Sequence, residues 1–380
     1  MITNGTIIQT FLLESGMKEE AVNIFFSVLQ IVQILIMLLF AKKLDKQKNP
    51  LNKFTLSGFL NLPFFTFLLI MCFFNMRYTN ALLIPLGLTA LFYCVFLGLN
   101  NIYSYKCPYH IIDMKKYGKL SANAGAISGA VCFILSILFS FIQNKTNYAF
   151  FSKMAFVINL LCGLLFIITL KSIKPIEYTA PENASEKKNI NILAYKPFYK
   201  LIIPNLLRGF NMGIFAMAAT IGYYNKCLDS ASASILVIVM NISTFLGTVG
   251  YSKVSEKYSD KNILLISSIL VCALTSLMLV KQNPVFFISL YAVGYFFLTF
   301  VNYSVPVAVT KIVRYDVIAQ YNGGRMLLNT AGTSIAGFVC IALFDTIGPH
   351  ITMIIAGSTQ LISGICYYLY LKNNPLEGVQ

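Results

Sequence analysis

Polar and apolar positions alternate along this chain in long blocks, with apolar runs of roughly 18 to 25 residues, rich in Phe, Leu, Ile and Val, separated by short polar stretches. A helix of that length crosses about 30 Å of hydrocarbon. Only helices and closed barrels satisfy their own backbone polar groups in lipid, so the runs predict transmembrane helices. They fall at roughly 21 to 41, 54 to 75, 80 to 103, 120 to 142 and 150 to 170, then at 198 to 223, 232 to 251, 262 to 280, 284 to 309, 319 to 344 and 350 to 371. An opening run at 5 to 13 is too short to cross. Counting it as a stump of span 1 makes the eleven full spans numbers 2 to 12.

One long polar interval divides this series. Residues 171–200, KSIKPIEYTAPENASEKKNINILAYKPFYK, carry six lysines, three glutamates and three prolines with no apolar face at helical period, which predicts a solvated linker. The expected organisation is an N-terminal helical bundle over 1–170 with an incomplete first span, the linker over 171–200, a C-terminal bundle over 201–372 and a tail over 373–380.

Composition agrees with a bilayer as solvent. With 57% hydrophobic residues, 11% charged residues and a mean hydropathy of +0.72, a soluble chain would have too little polar surface to cover its core. The 29 Lys and Arg against 14 acids do not mark a nucleic-acid binder, because the positive charge sits in loops between apolar runs. About 21 basic residues fall after even-numbered spans, in the linker or after span 12; about six fall on the opposite side. The positive-inside rule therefore places the linker and the C-terminus in the cytoplasm. Of nine cysteines, Cys107 and Cys227 alone lie near loops, on opposite sides of the membrane, and the others read as small buried hydrophobes.

The two halves resemble each other. NIYSYKCPYHIIDMKKYGKLSANAGAISGAV after span 4 can be laid on VNYSVPVAVTKIVRYDVIAQYNGGRMLLNTAGTSIAGFV after span 10, matching Tyr103 and Ser104 to Tyr303 and Ser304. Each copy enters a helix with small residues, Gly125 and Gly129 or Gly332 and Gly337, which let helices approach closely in lipid. The loops after spans 2 and 8 read AKKLDKQKNP (41–50) and SKVSEKYSDK (252–261). Both resemble the loop motif of the major facilitator superfamily, G-x-x-x-D-[RK]-x-G-[RK]-[RK], with Ala41, Lys48, Ser252 and Ser259 in place of its glycines. The resemblance covers nearly the whole chain and implies an all-α polytopic fold of two six-helix bundles that transports a solute by rocking about a central site. It also implies a cytoplasmic gating role for Asp45 and Lys46, which in the family bond a neighbouring helix and steady the outward-open state, and for Glu256 and Lys257 in the second copy. The resemblance fails at the beginning, where only the stump stands for span 1: either the start is truncated or that span is absent by design.

Ionisable residues at membrane depth are candidate functional groups. Arg208 lies about 15 Å into span 7, with Asn205 and Asn211 three residues to either side on one face. Arg325 lies about 10 Å into span 11, with Asn322 and Asn329 at helical spacing, and is near enough to the surface to reach a loop acid such as Asp316. Span 2 carries Gln30 and Gln33. The candidate substrate-binding residues are thus Arg208, Asn205, Asn211, Arg325, Asn329, Gln30 and Gln33. His110 and His350 are read as loop residues without metal-ligand company, and no nucleotide-binding or hydrolase motif occurs, so neither a metal, a cofactor nor an enzyme activity is expected. The expectation is a monomeric secondary transporter in a bacterial plasma membrane, moving a small polar or anionic solute with a proton or sodium ion as coupling partner. The rival readings are a transport-inactive sensor or scaffold and a lipid-linked sugar flippase.

Overall fold

The computed structural model of the chain describes residues 5–47, 50–112, 117–145, 148–174, 192–218, 221–222, 225–228 and 230–374. All regular structure among them is helical. Much of the predicted linker, 175–191, lies outside the described residues. The chain divides into two compact units, residues 1–112 with 134–179, and residues 113–133 with 180–380.

The first unit begins with α1 (Gly5–Glu14), which corresponds to the stump. At 10 residues it is about 15 Å long, half a bilayer core. It is nonetheless part of the core: Ile8, Phe11 and Leu12 are buried, and the Phe11 ring meets Phe156 edge-on at 5.2 Å. Gly16, at φ +96°, makes the turn out of α1, and the Ser15 carbonyl accepts from the Tyr78 N–H at 2.7 Å.

Next comes α2 (Glu19–Asp45). The third predicted span is α3 (Leu51–Gly58) and α4 (Leu62–Phe73), joined by a 3-10 turn over Phe59–Asn61. The cause of the interruption is Pro63, which lacks an N–H and whose ring would crowd the carbonyl of Phe59, so the turn tightens to i→i+3 bonds such as Leu62 N–H to Phe59 O. α5 (Asn80–Lys106) packs on α2 and α4, and α7 (Tyr148–Ser172) packs on α3 and α4. Aromatic contacts bind the unit, with Tyr93 stacked on Phe64 at 5.0 Å and edge-on to Phe65 at 5.4 Å.

α6 (Tyr117–Lys145) contributes its beginning to the second unit. There follow α8 (Lys196–Lys200), α9 (Ile202–Ala216), α10 (Ser230–Val254), α11 (Asp260–Leu277), α12 (Pro284–Ile312), α13 (Ile318–Ile347) and α14 (Pro349–Asn373). α9 and α13 approach closely: a Cβ on Gly209 would collide with the backbone of Asn329, and one on Gly332 with the carbonyl of Leu206. Gly125 of α6 lies under the Tyr303 hydroxyl in the same way, so two of the glycines marked by the internal repeat are indeed close-contact positions.

Among the described residues, six helices are long and apolar enough to cross a membrane: Leu51–Phe73, Asn80–His110, Ser152–Ser172, Asp260–Leu277, Pro284–Ile312 and Pro349–Asn373. α2, α6, α10 and α13, of 25 to 30 residues, match predicted spans in position and length. Large apolar side chains such as Leu39, Phe74, Ile84 and Ile203 point outward, as lipid requires and water would not favour. The fold is a polytopic all-α membrane fold.

Two sequence expectations change. His110, read as a loop residue, and Lys106, one of the basic residues tallied after span 4, are buried: α5 and the 3-10 turn Cys107–His110 carry the fourth span further than its apolar run. Cys107 and Cys227 are likewise buried.

Candidate functional site

The second unit holds a cluster of buried polar side chains on α9, α12, α13 and α14. Its centre is Arg208 on α9, only 4% exposed, whose Nη2 donates to Asn302 Oδ1 on α12 at 2.6 Å. With the Asn329 amide oriented to satisfy both its ends, its nitrogen donates to the Asn205 carbonyl at 2.7 Å and its oxygen accepts from Arg208 Nη1 at 3.3 Å. Two amide oxygens on two helices therefore orient the two terminal nitrogens of one guanidinium. Amides fix its direction and leave its positive charge in place.

Local sequence explains why Asn302 stands there. It is four residues before Pro306, inside α12, and Pro306 has no N–H to return to the Asn302 carbonyl. A backbone acceptor is thus freed from the helix ladder at the residue whose side chain meets Arg208, a common way for membrane helices to build polar sites.

Asn205 is fixed from a further direction. Its Nδ2 donates to the Leu201 carbonyl at 2.6 Å, and its Oδ1 accepts from the Tyr367 hydroxyl of α14 at 2.7 Å. The buried Tyr321 side chain lies beside the same pair. Arg325, 2% exposed, donates from Nε to Asn322 Oδ1 at 3.1 Å. Arg314 holds Asp316 through both carboxylate oxygens at 3.1 and 2.9 Å. Asn211 turns away from Arg208 and donates to the Ala356 carbonyl of α14 at 3.1 Å. It is a helix-to-helix tie.

The structure therefore gathers Arg208, Asn205 and Asn329 of the predicted residues and adds Asn302 and Tyr367, which sequence reasoning did not single out. Asn302 had a signal in the Asn-Tyr-Ser-Val-Pro spacing; Tyr367 had none. Gln30 and Gln33 lie on α2 of the first unit, the former exposed and the latter half-buried.

The gating-loop residues divide in two. Asp45 is buried and Lys46 exposed at the end of α2. In the second copy Glu256 and Lys257 are both exposed, and Glu256 pairs with Lys119 at 2.6 Å. The Lys119 ammonium holds the Glu256 carboxyl below the usual glutamate range. The less exposed acid of this loop is Asp260, four residues on, which pairs with Lys311 and accepts from the Tyr251 hydroxyl at 3.0 Å. No group of three His, Cys, Asp or Glu side chains among the described residues could hold a metal ion.

No family model matches the chain, and no curated protein matches it in sequence. Solved structures do match in fold. The Escherichia coli fucose:proton symporter FucP superposes with a TM-score of 0.73 at 9% identity, over 96% of this chain and 94% of that one. The chain has the major facilitator fold. A bacterial homologue of the iron transporter ferroportin, in its outward-facing state, superposes with a TM-score of 0.68 at 11% identity, over 98% of this chain and 100% of that one. The human organic anion transporter MFSD10 gives a TM-score of 0.69 at 11% identity, over 96% and 89% of the two chains. α9, α12, α13 and α14 correspond to the apolar runs numbered 7, 10, 11 and 12 in the sequence, and the Arg208 cluster lies within the second unit.

Proposed function

We propose that the chain is a secondary transporter that moves a small polar or anionic solute across a membrane by alternating access, with Arg208 as its anion-recognising group. One observation carries this reading: a guanidinium 4% exposed, about 10 Å along α9, is oriented through both terminal nitrogens by neutral amides of α12 and α13. A cation at membrane depth is expensive and is retained where it serves a pathway or a ligand. A planar fork oriented by neutral amides keeps N–H groups and charge for recognition of a carboxylate or phosphate.

Asn302 and Asn329 would share the site with Arg208, while Asn205 would hold Asn329 in register. Arg325 and Asn322 form a second polar station on α13. Gln30 and Gln33 are retained as candidate polar contacts of the first unit. A proton or a sodium ion is the coupling partner proposed for it. Placement in a bacterial plasma membrane with a cytoplasmic C-terminus, as a monomer, completes the proposal.

The test is thermal unfolding of the purified protein against a panel of small mono- and dicarboxylates, phosphate and neutral sugars. A ligand at 100 times its dissociation constant stabilises by about 2.7 kcal/mol. Stabilisation by an anion in the wild type, absent in Arg208→Ala, is the expected result. Stabilisation only by neutral sugars, unchanged in Arg208→Ala, would refute the anion assignment.

A further inference from the structure

Lys106 is 0% exposed, and its ammonium donates to the carbonyl oxygens of Leu44 and Asp45 at 2.9 and 2.6 Å. A lysine is buried only where acceptors replace its water. Here they are carbonyls of the last turn of α2, at the negative end of the helix dipole. The Leu44 carbonyl also accepts from the Gln47 N–H at 2.9 Å, so the ammonium and the backbone share it.

The second unit repeats the arrangement with different chemistry. Lys311, at the end of α12, pairs with Asp260, the first residue of α11, beside the loop that carries Glu256 and Lys257. α5 and α12 are spans 4 and 10, equivalent positions in the two halves. Each sends a lysine from its last turns to the loop that follows the second span of its own half. The Lys106 contact is sealed, whereas the Lys311 and Asp260 side chains are 43% and 12% exposed.

We infer that Lys106 and Lys311 are positioning residues, each fixing within its own unit the loop that bears the Asp45 and Lys46 pair or the Glu256 and Lys257 pair. The loops then move as rigid parts of their units during transport. This rests on the transporter reading for its purpose, but not for its test. A lysine counted from sequence as a loop charge is on this view a helix cap.

Hydrogen exchange of the purified full chain, read by mass spectrometry, separates the two clamps. Lys106→Met should speed exchange over 42–47 tenfold or more and leave 255–263 unchanged. Lys311→Met should do the reverse, and Lys106→Arg should stay within twofold of wild type. Unchanged exchange in the cognate loop, or equal acceleration of both loops and the helical core, would overturn the inference. If Lys106→Met yields no folded protein, Lys106→Arg decides: protection within twofold of wild type supports the clamp, and an exposed loop in a folded protein overturns it. Failure of the wild type to move any solute in vesicles would instead remove the transporter reading and leave the exchange result standing.

Discussion

Arg208 and Asn302 meet at 2.6 Å between α9 and α12, and the asparagine oxygen that orients the arginine belongs to a residue whose own carbonyl is released by Pro306. The contact predicts distinct outcomes for three substitutions. Arg208→Lys keeps the charge but cannot donate in a fork to both Asn302 and Asn329, so anion affinity should fall about tenfold, or ~1.4 kcal/mol. Arg208→Ala should abolish anion binding with normal membrane expression. Asn302→Asp places a carboxylate against the guanidinium and should abolish binding while leaving thermal stability equal or higher. Equal affinity in Asn302→Asp and wild type would show that Arg208 does not meet the anion.

A second prediction concerns the α9 and α13 contact. Because a Cβ at Gly209 would run into the Asn329 backbone, Gly209→Ala should destabilise by roughly 1 to 3 kcal/mol, the usual cost of overpacking. Gly87→Ala, with nothing within 4 Å of its added methyl, is the control and should leave the melting temperature in detergent unchanged.

The Lys119 and Glu256 pair gives a pH dependence. Since Lys119 holds the Glu256 carboxyl below its ordinary value, the pair contributes above that ordinary value and is lost as pH falls through the lowered one. Melting curves of wild type and Glu256→Gln should therefore differ at neutral pH and converge once the pH falls below the ordinary glutamate range. Raising the salt concentration should also bring them together, because the pair is exposed.

Sidedness follows from the lysine distribution. Cysteines placed at Lys187 and Lys116 should resist a membrane-impermeant thiol reagent in intact cells, while one at Thr146 should react. Burying Lys106 removes one charge from the cytoplasmic tally and leaves its direction intact. Labelling at Lys187 from outside would reverse the proposed orientation.

Run length and loop charge were enough to read the helices, because lipid imposes one solution on an apolar segment of spanning length. The duplicated loops pointed to the fold through features that low sequence identity does not erase. Depth along a helix likewise exposed Arg208 and Arg325, since charge inside an apolar run needs only counting. Their partners were less legible. Which face of α9 meets α12, and that Asn211 turns to α14, depends on crossing geometry that a single helix does not encode. Lys106 was misread for a related reason: a lysine just beyond an apolar run looks solvated until another helix end is placed beside it. Asp260 was passed over for Glu256 because the motif register favoured the fifth position, whereas the folded loop leaves that position in water.

The most direct test of the central claim is uptake by the purified protein in proteoliposomes. Radiolabelled small anions and neutral sugars would be offered under an imposed proton or sodium gradient, comparing wild type with Arg208→Ala at equal reconstitution. At least one anion should accumulate against its gradient in the wild type and fall at least tenfold in Arg208→Ala. Accumulation of no solute under either gradient, or an equal anion rate in the two proteins, would contradict the account.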